Sequence, residues 1–470
     1  MKQTAEFINE ELIWKLLENG GNTSNKQVVE IIEKARQFKG LTAEEVAILL
    51  QVSEPELLKR IYNVAHEVKE HIYGKRVVLF APLYLSNHCV NDCLYCAYCH
   101  DNKEIDRKTL TDTEIIEECK YIEEMGHKRI VIESGEHPGK APIDYICNAI
   151  RTIYNTTNKN GSIRRVNVNI AATTVEEYRK LKGAGIGTYT LFQETYHRQT
   201  YHHMHPSGPK ADYDWHTTAM DRAMEAGIED VGIGALFGLF DYKFEVVAMM
   251  LHAKHLEEKF GVGPHTISVP RIRKAQGSQL QELSYAVEDA SFKKIVAIIR
   301  IAVPYTGLIL STRESSEARD EFLSMGVSQV SAGSCTGVGG YNPATRDKCD
   351  EECGTTAQFK TEDNRSPDEV IQSICRSGYI PSYCTACYRQ GRTGDRFMQL
   401  AKSGEIQDVC APNAILTFKE YLMDYASPET KVIGEAAILE HLKDIKKPDI
   451  RKQVESELKN IENGVRDLYY

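Results

Sequence analysis

The chain lacks an apolar run long enough to cross a bilayer; VGIGALFGLF (231–240) is too short and fits a buried strand. Its first residues, MKQTAEFINEELIWKLLENGG, have no apolar core followed by small residues, so they do not read as a secretory signal. Positive charge is not in excess: 57 Lys and Arg stand against 67 Asp and Glu, a net charge of −10, which argues against nucleic acid or an anionic membrane as partner. There is no low-complexity tract and no repeat beyond an alternation of strand-like and helix-like segments. These absences predict a cytoplasmic protein with no nucleic-acid and no membrane partner. What is present in unusual supply is cysteine, 13 residues in 470. In a reducing compartment disulfides are disfavoured, so clustered cysteines read as metal ligands. Cys119, Cys147 and Cys375 stand singly in helix-like stretches and read as small buried apolar residues.

Residues 1–75 read as an N-terminal helical extension. LTAEEVAILLQ, for example, opens on a Thr cap followed by acidic residues. From 76 to 340, eight apolar segments alternate with amphipathic helical stretches: 77–86, 129–134, 165–171, 188–193, 230–237, 265–272, 308–314 and 328–334. Repeated βα units imply a parallel sheet, and eight of them predict an α/β fold of the (β/α)8 TIM-like barrel class. A doubly wound open sheet is the competing arrangement, which periodicity does not exclude. After residue 340 comes a polar loop, YNPATRDKCDEECGTTAQFKTEDNRSPDE, and then helices, so 341–470 reads as a helical C-terminal domain.

The run NHCVNDCLYCAYCH follows the first strand and places Cys89, Cys93 and Cys96 in a C-x3-C-x2-C arrangement. Three thiolates anchor a 4Fe–4S cubane and leave one iron open to a ligand. Barrel enzymes carry their chemistry on loops at the C-terminal ends of strands, and this loop is one of those. A zinc knuckle completed by Cys99 or His100 is the alternative, but zinc sites usually pair two short-spaced dyads.

The spacing, with Tyr95 just before the last cysteine, resembles the signature of the radical S-adenosylmethionine (radical SAM) superfamily. The resemblance implies that S-adenosyl-L-methionine chelates the open iron and that reductive cleavage yields a 5′-deoxyadenosyl radical. It assigns the methionyl amine to the turn Ser134-Gly135-Glu136, which departs from the usual double glycine but keeps the acid. It assigns adenine to the region of Gly232 and Gly234. Asn169 in the third strand and Glu194 at the end of the fourth are polar groups able to bond the ribose or the methionyl carboxylate; each could equally be an ordinary satisfied buried polar residue. The loop HRQTYHHMHPSGPK has four histidines but no adjacent acid or cysteine, and reads as a lid.

A second set, Cys384, Cys387 and Cys410, is spaced C-x2-C-x22-C with no histidine between. Structural zinc would need a fourth ligand, for which Cys349, Cys353 and Cys375 are available. The alternative is an auxiliary iron–sulfur cluster. The two motifs in this order, with FQETYH, HPSGPKADYDW, STRE and SAGSCTGVGGY between them, resemble the HydG family of FeFe-hydrogenase maturases, which are tyrosine lyases. The 2-iminoacetate synthases of thiamine biosynthesis (ThiH) resemble the barrel equally well but lack the second motif.

The HydG resemblance implies cleavage of L-tyrosine at Cα–Cβ to p-cresol and dehydroglycine, and conversion of the latter to carbon monoxide and cyanide. It implies an auxiliary cluster with an extra labile iron, an electron donor such as a ferredoxin or flavodoxin, and other hydrogenase maturation proteins as partners. Arg313, at the end of strand seven, is the candidate for the tyrosine carboxylate, because a guanidinium can hold it bidentately; Ser331 on strand eight would assist. His265 opens strand six, at the barrel end opposite Cys89, Cys93 and Cys96, and is a candidate iron ligand facing the C-terminal domain. An iminoacetate synthase and an iron–sulfur scaffold without radical chemistry are the competing functions.

Overall fold

The structure is a computed structural model, and it describes residues 3–280, 283–342 and 356–470. Cys349 and Cys353 lie outside the described residues.

Nine strands form the main sheet. They are β1 (Arg76–Ser86), β2 (Arg129–Ser134), β3 (Arg165–Asn169), β4 (Tyr189–Thr190), β5 (Val231–Gly234), β6 (Thr266–Ser268), β7 (Gly307–Leu310), β8 (Gln329–Ser331) and β9 (Ile380–Ser382). The first eight pair in chain order, every pairing parallel, and β8 returns to β1 through Val78–Gln329, Leu79–Val330 and Phe80–Ser331. That return closes the barrel and removes the open-sheet alternative.

The two-residue alternation of each strand sorts apolar from polar side chains. Val77, Leu79, Ala81, Leu83, Ile130, Ile132, Val166 and Val168 point outward under the helices and are fully buried. Burying each of the larger ones contributes about 1.5–3 kcal/mol. The intervening positions of β2 and β3 include Arg129, Glu133, Asn167 and Asn169, and these face a hollow lumen. TIM barrels usually fill this space with branched apolar side chains. Here the strands supply polar groups and leave it open.

The N-terminal extension is four helices, Glu10–Gly20, Asn25–Ala35, Ala43–Leu50 and Pro55–Tyr73, packed outside the barrel on helices Tyr242–Phe260 and Asp289–Ala302. Capping boxes at Ser24 and Thr42 start two of them. The C-terminal region is mainly helical, as its sequence suggests, but it also contributes β9. This strand pairs with the lower part of β1 (Arg76–Ile380, Val77–Pro381, Val78–Ser382), while β2 pairs with the upper part from Ala81 onward. The tripeptide Ile-Pro-Ser between two helices carries no alternation long enough to be read as a strand from sequence. Its effect is large: it fixes the following cysteines beneath the barrel.

Candidate active site and a second cysteine site

A cavity of about 220 Å³ opens at the C-terminal ends of the strands, and Cys89, Cys93 and Cys96 line it. Their loop owes its shape to Arg107, whose guanidinium donates to the carbonyls of Asn87 (2.6 Å), Tyr98 (2.9 Å), Cys99 (2.5 Å) and Asn102 (3.1 Å). The amide of Tyr98 points at Cys96 Sγ (3.4 Å), and Asn91 Nδ2 lies 3.6 Å from Cys89 Sγ. Burial pushes the Cys96 thiol up to about 12 and Cys93 well above the ordinary thiol range. Metal binding would therefore release protons here. Cys99 is buried outside the cavity walls. Among the described residues no group of three His, Cys, Asp or Glu side chains converges on a single ion. A cubane holds its ligand sulfurs apart by its own width, so an open triad of thiols on a roomy cavity fits a cluster rather than zinc.

The Ser134-Gly135-Glu136 turn also lines the cavity. A side chain at Gly135 would place its Cβ 2.4 Å from the His88 carbonyl oxygen, so the turn and the cysteine loop touch through backbone. Glu136 accepts from Asn91 Nδ2 at 2.6 Å, and its carbonyl accepts from the Val90 amide at 2.8 Å. Burial raises its carboxyl above the ordinary range.

Glu194 and Asn169 both line the cavity. Glu194 adopts a positive φ of 68°, a costly backbone for a residue with a side chain, and pairs with Lys210 at 2.8 Å. Burial works against the charge on Lys210, but Glu194 and Cys93 outweigh it and hold the ammonium above its ordinary range. Lys210 sits in the loop read as a lid, and its amide donates to Asn91 Oδ1 at 2.9 Å. In that loop His197 caps the helix Arg198–Met204 and His205 is buried, while His202 and His203 are exposed. His205 Nδ1 bonds the Tyr201 carbonyl at 2.8 Å and so carries the proton, which leaves Nε2 to accept from Tyr95 OH at 2.8 Å.

Gly232 and Gly234 are buried and are not among the cavity walls. A Cβ at Gly232 would strike the hydroxyls of Thr266 and Thr190, and one at Gly234 the Ser268 carbonyl and the Phe192 ring. The close approach they permit in this structure is to neighbouring strands.

Arg313 and Ser331 line the same cavity. The Arg313 guanidinium lies 3.4 Å above the Phe359 ring and makes no hydrogen bond or ion pair among the described residues. Glu133, which the sequence reading passed over, faces the same space and is bonded by Asn169.

Beneath the barrel a second cavity of about 50 Å³ is lined by Cys384, Cys387, Cys410 and His265, with Arg76, Arg129, Arg392 and Asp230. The C-terminal domain thus closes the lower mouth, as the placement of His265 anticipated. His265 Nδ1 lies 3.4 Å from Asp230 Oδ1, and burial lowers its imidazole below the ordinary range, keeping it in the neutral form that binds metal. Cys387 and Cys410 share a hydrogen bond, which lowers the Cys410 thiol. Arg129 Nη2 donates to the Cys384 carbonyl at 2.9 Å, tying β2 to the cysteine loop. Cys375 is not among the cavity walls. Gln329 is a wall of both cavities.

Known proteins share this arrangement. The Radical SAM superfamily pattern matches residues 83–252, and the Biotin and Thiamin Synthesis associated domain matches 268–380. The 2-iminoacetate synthase of Escherichia coli (strain K12) is 31% identical over 358 residues, covering 76% of this chain and 90% of that protein. The crystal structure of HydG, a maturase of the [FeFe]-hydrogenase, is 59% identical with a TM-score of 0.95, over 99% of this chain and all of that one. This chain belongs to the HydG family. HydG from Carboxydothermus hydrogenoformans, described as an FeFe-hydrogenase maturase, is 40% identical with a TM-score of 0.84, over 96% of this chain and 99% of that one. As a HydG-type radical SAM enzyme, the chain uses S-adenosyl-L-methionine with a 4Fe–4S cluster. Cys89, Cys93 and Cys96 are the residues here that fit that cluster. Among the described residues no helix is long and apolar enough to cross a membrane.

Proposed function

We propose that this chain cleaves free L-tyrosine at Cα–Cβ to p-cresol and dehydroglycine in the upper cavity. Dehydroglycine then becomes carbon monoxide and cyanide, which are loaded on iron at the lower site as a precursor for the FeFe-hydrogenase active site. The observation that carries this reading is the pair of cysteine triads at opposite mouths of one barrel, with Gln329 a wall of both cavities.

When bound, the upper cluster and S-adenosylmethionine supply the 5′-deoxyadenosyl radical. The protein's part is binding and placement. Cys89, Cys93 and Cys96 hold the upper cluster; Glu136, Asn169, Glu194 and Lys210 offer polar groups for the cofactor. Arg313, unpaired in the cavity among the described residues, takes the tyrosine carboxylate, and Ser331 lines the same cavity. Enclosure by the Tyr95–His205 lid excludes water from a labile product. Below, Cys384, Cys387 and Cys410 hold the auxiliary cluster, and His265, oriented by Asp230, offers a nitrogen to the iron cargo. An electron donor of the ferredoxin or flavodoxin class and other maturation proteins complete the proposed partners.

The test is anaerobic reconstitution followed by S-adenosylmethionine, dithionite and tyrosine, with assays for p-cresol, cyanide and carbon monoxide. All three products are expected. p-Cresol without carbon monoxide would make the chain an iminoacetate synthase, and no p-cresol would leave an iron–sulfur carrier.

A further inference from the structure

The upper cavity holds a guanidinium and a carboxyl group that do not pair with each other. Arg313 has no anionic partner, and Glu133 has no cation within ion-pair distance among the described residues. Both line the cavity, Glu133 near the top of β2 and Arg313 just past β7, with β1 and β8 between their strands. Leaving either group unpaired in an enclosed site is costly. A neutral ligand would relieve neither. An α-amino acid carries both complementary charges on one carbon.

We propose that Glu133 is the carboxylate that receives the α-ammonium of the amino-acid substrate while Arg313 holds its carboxylate. This rests on the reading that the substrate is a free amino acid, and it adds the residue that recognises the amine. The surroundings of Glu133 fit the role. Asn169 from β3 bonds it, Glu194 beyond β4 repels it, and Arg313 attracts it from a distance. Tyr84 from β1 and Tyr98 from the cysteine loop face it as neutral phenols, each held well above the ordinary range by burial. Burial dominates and raises the Glu133 carboxyl to about 8, so it is protonated at pH 7 before substrate arrives. The incoming ammonium stabilises the carboxylate. The carboxyl proton leaves to solvent, and a carboxylate–ammonium pair remains.

The experiment is calorimetry on the anaerobic holoenzyme with S-adenosylmethionine and no reductant, so that nothing turns over. Tyrosine is titrated in buffers of different ionisation enthalpy. Wild type is expected to release close to one proton per tyrosine at pH 7 and much less above pH 8, with affinity rising over that interval. Glu133→Gln should lose the proton release and bind tyrosine about ten- to hundredfold more weakly. Glu133→Asp should keep the release at reduced affinity. 3-(4-Hydroxyphenyl)propionate, which lacks the amine, should bind wild type and Glu133→Gln equally, and S-adenosylmethionine affinity should not change. Wild-type tyrosine affinity and proton release in Glu133→Gln would overturn the assignment. So would a parallel loss of the amine-free ligand or of S-adenosylmethionine, which would make Glu133 a fold or cofactor residue. Failure of wild type to bind tyrosine at all, with no p-cresol in the turnover assay, would remove the tyrosine reading itself and this inference with it.

Discussion

Cys96 stands between the Tyr98 amide and the cavity, and it is one of only three thiols at the upper mouth. Replacing it by Ala should abolish deoxyadenosine and p-cresol together, since two thiolates do not secure a cubane with one open iron. High-performance chromatography of both products checks this; p-cresol at the wild-type rate would remove the radical mechanism. His265 is the counterpart below. Its ring is 4.5 Å from Phe397, and its Nδ1, 3.4 Å from Asp230, makes no hydrogen bond among the described residues. His265→Ala should leave p-cresol formation unchanged and remove the spectroscopic signature of an extra iron in the doubly reconstituted protein. An unchanged iron spectrum would return His265 to a role in packing alone.

At the scale of elements, the top of β2 and the cysteine loop are fitted backbone to backbone. Gly135→Ala would drive a methyl group into the His88 carbonyl, at 2.4 Å, and one of the two segments must move. The expected result is a fold of unchanged thermal stability to within about 1–2 kcal/mol but a several-fold loss of iron in the upper cluster, read by iron and sulfide analysis of a Cys384→Ser/Cys387→Ser background. Full iron content would show that the contact relaxes at no cost.

Elements also explain what the sequence made legible. Eight βα units and the place of His265 at the start of the sixth strand were legible from spacing and strand order, while the reading of the two cysteine sets as cluster ligands leaned on the family resemblance. Glu133, Lys210 and β9 were not legible. Glu133 lies inside an apolar strand where only closure of the barrel shows that its side faces the lumen. Lys210 reaches Glu194 through a loop whose path no periodicity reports. Ile380–Ser382 is three residues long, and it becomes a strand because the lower edge of β1 is open to receive it.

Across the whole molecule, the lumen separates two tasks. With Cys384 and Cys387 both replaced by Ser, tyrosine cleavage should continue while carbon monoxide release disappears, because among the described residues no cysteine of the C-terminal region lines the upper cavity. Collapse of p-cresol formation with the upper cluster intact would mean that the two sites are not independent.

The fold also buries histidines that stay neutral. Burial lowers His127 and His252 to about 4 and His216 to about 3. Between those values and the ordinary 6.5, the unfolded chain binds protons that the folded chain refuses. Their contribution is therefore fully present above pH 6.5 and lost as pH falls, by about 1.4 kcal/mol per pH unit for each histidine. Melting temperature should drop steeply from pH 6.5 to 4.5, and His127→Phe should make that slope shallower. A flat profile would show that these rings protonate in place.

The register of β9 on β1 has a further consequence, for biosynthesis. Arg76 pairs with Ile380, so the floor of the barrel waits for a segment made long after its first strand has left the ribosome. Strands β1 to β8 can close, and the upper cysteine loop can form, while the underside is still open to solvent or to a chaperone. The lower site cannot exist until the last fifth of the chain is translated. The order of translation therefore puts the upper cysteine loop first and the lower cysteine cavity last.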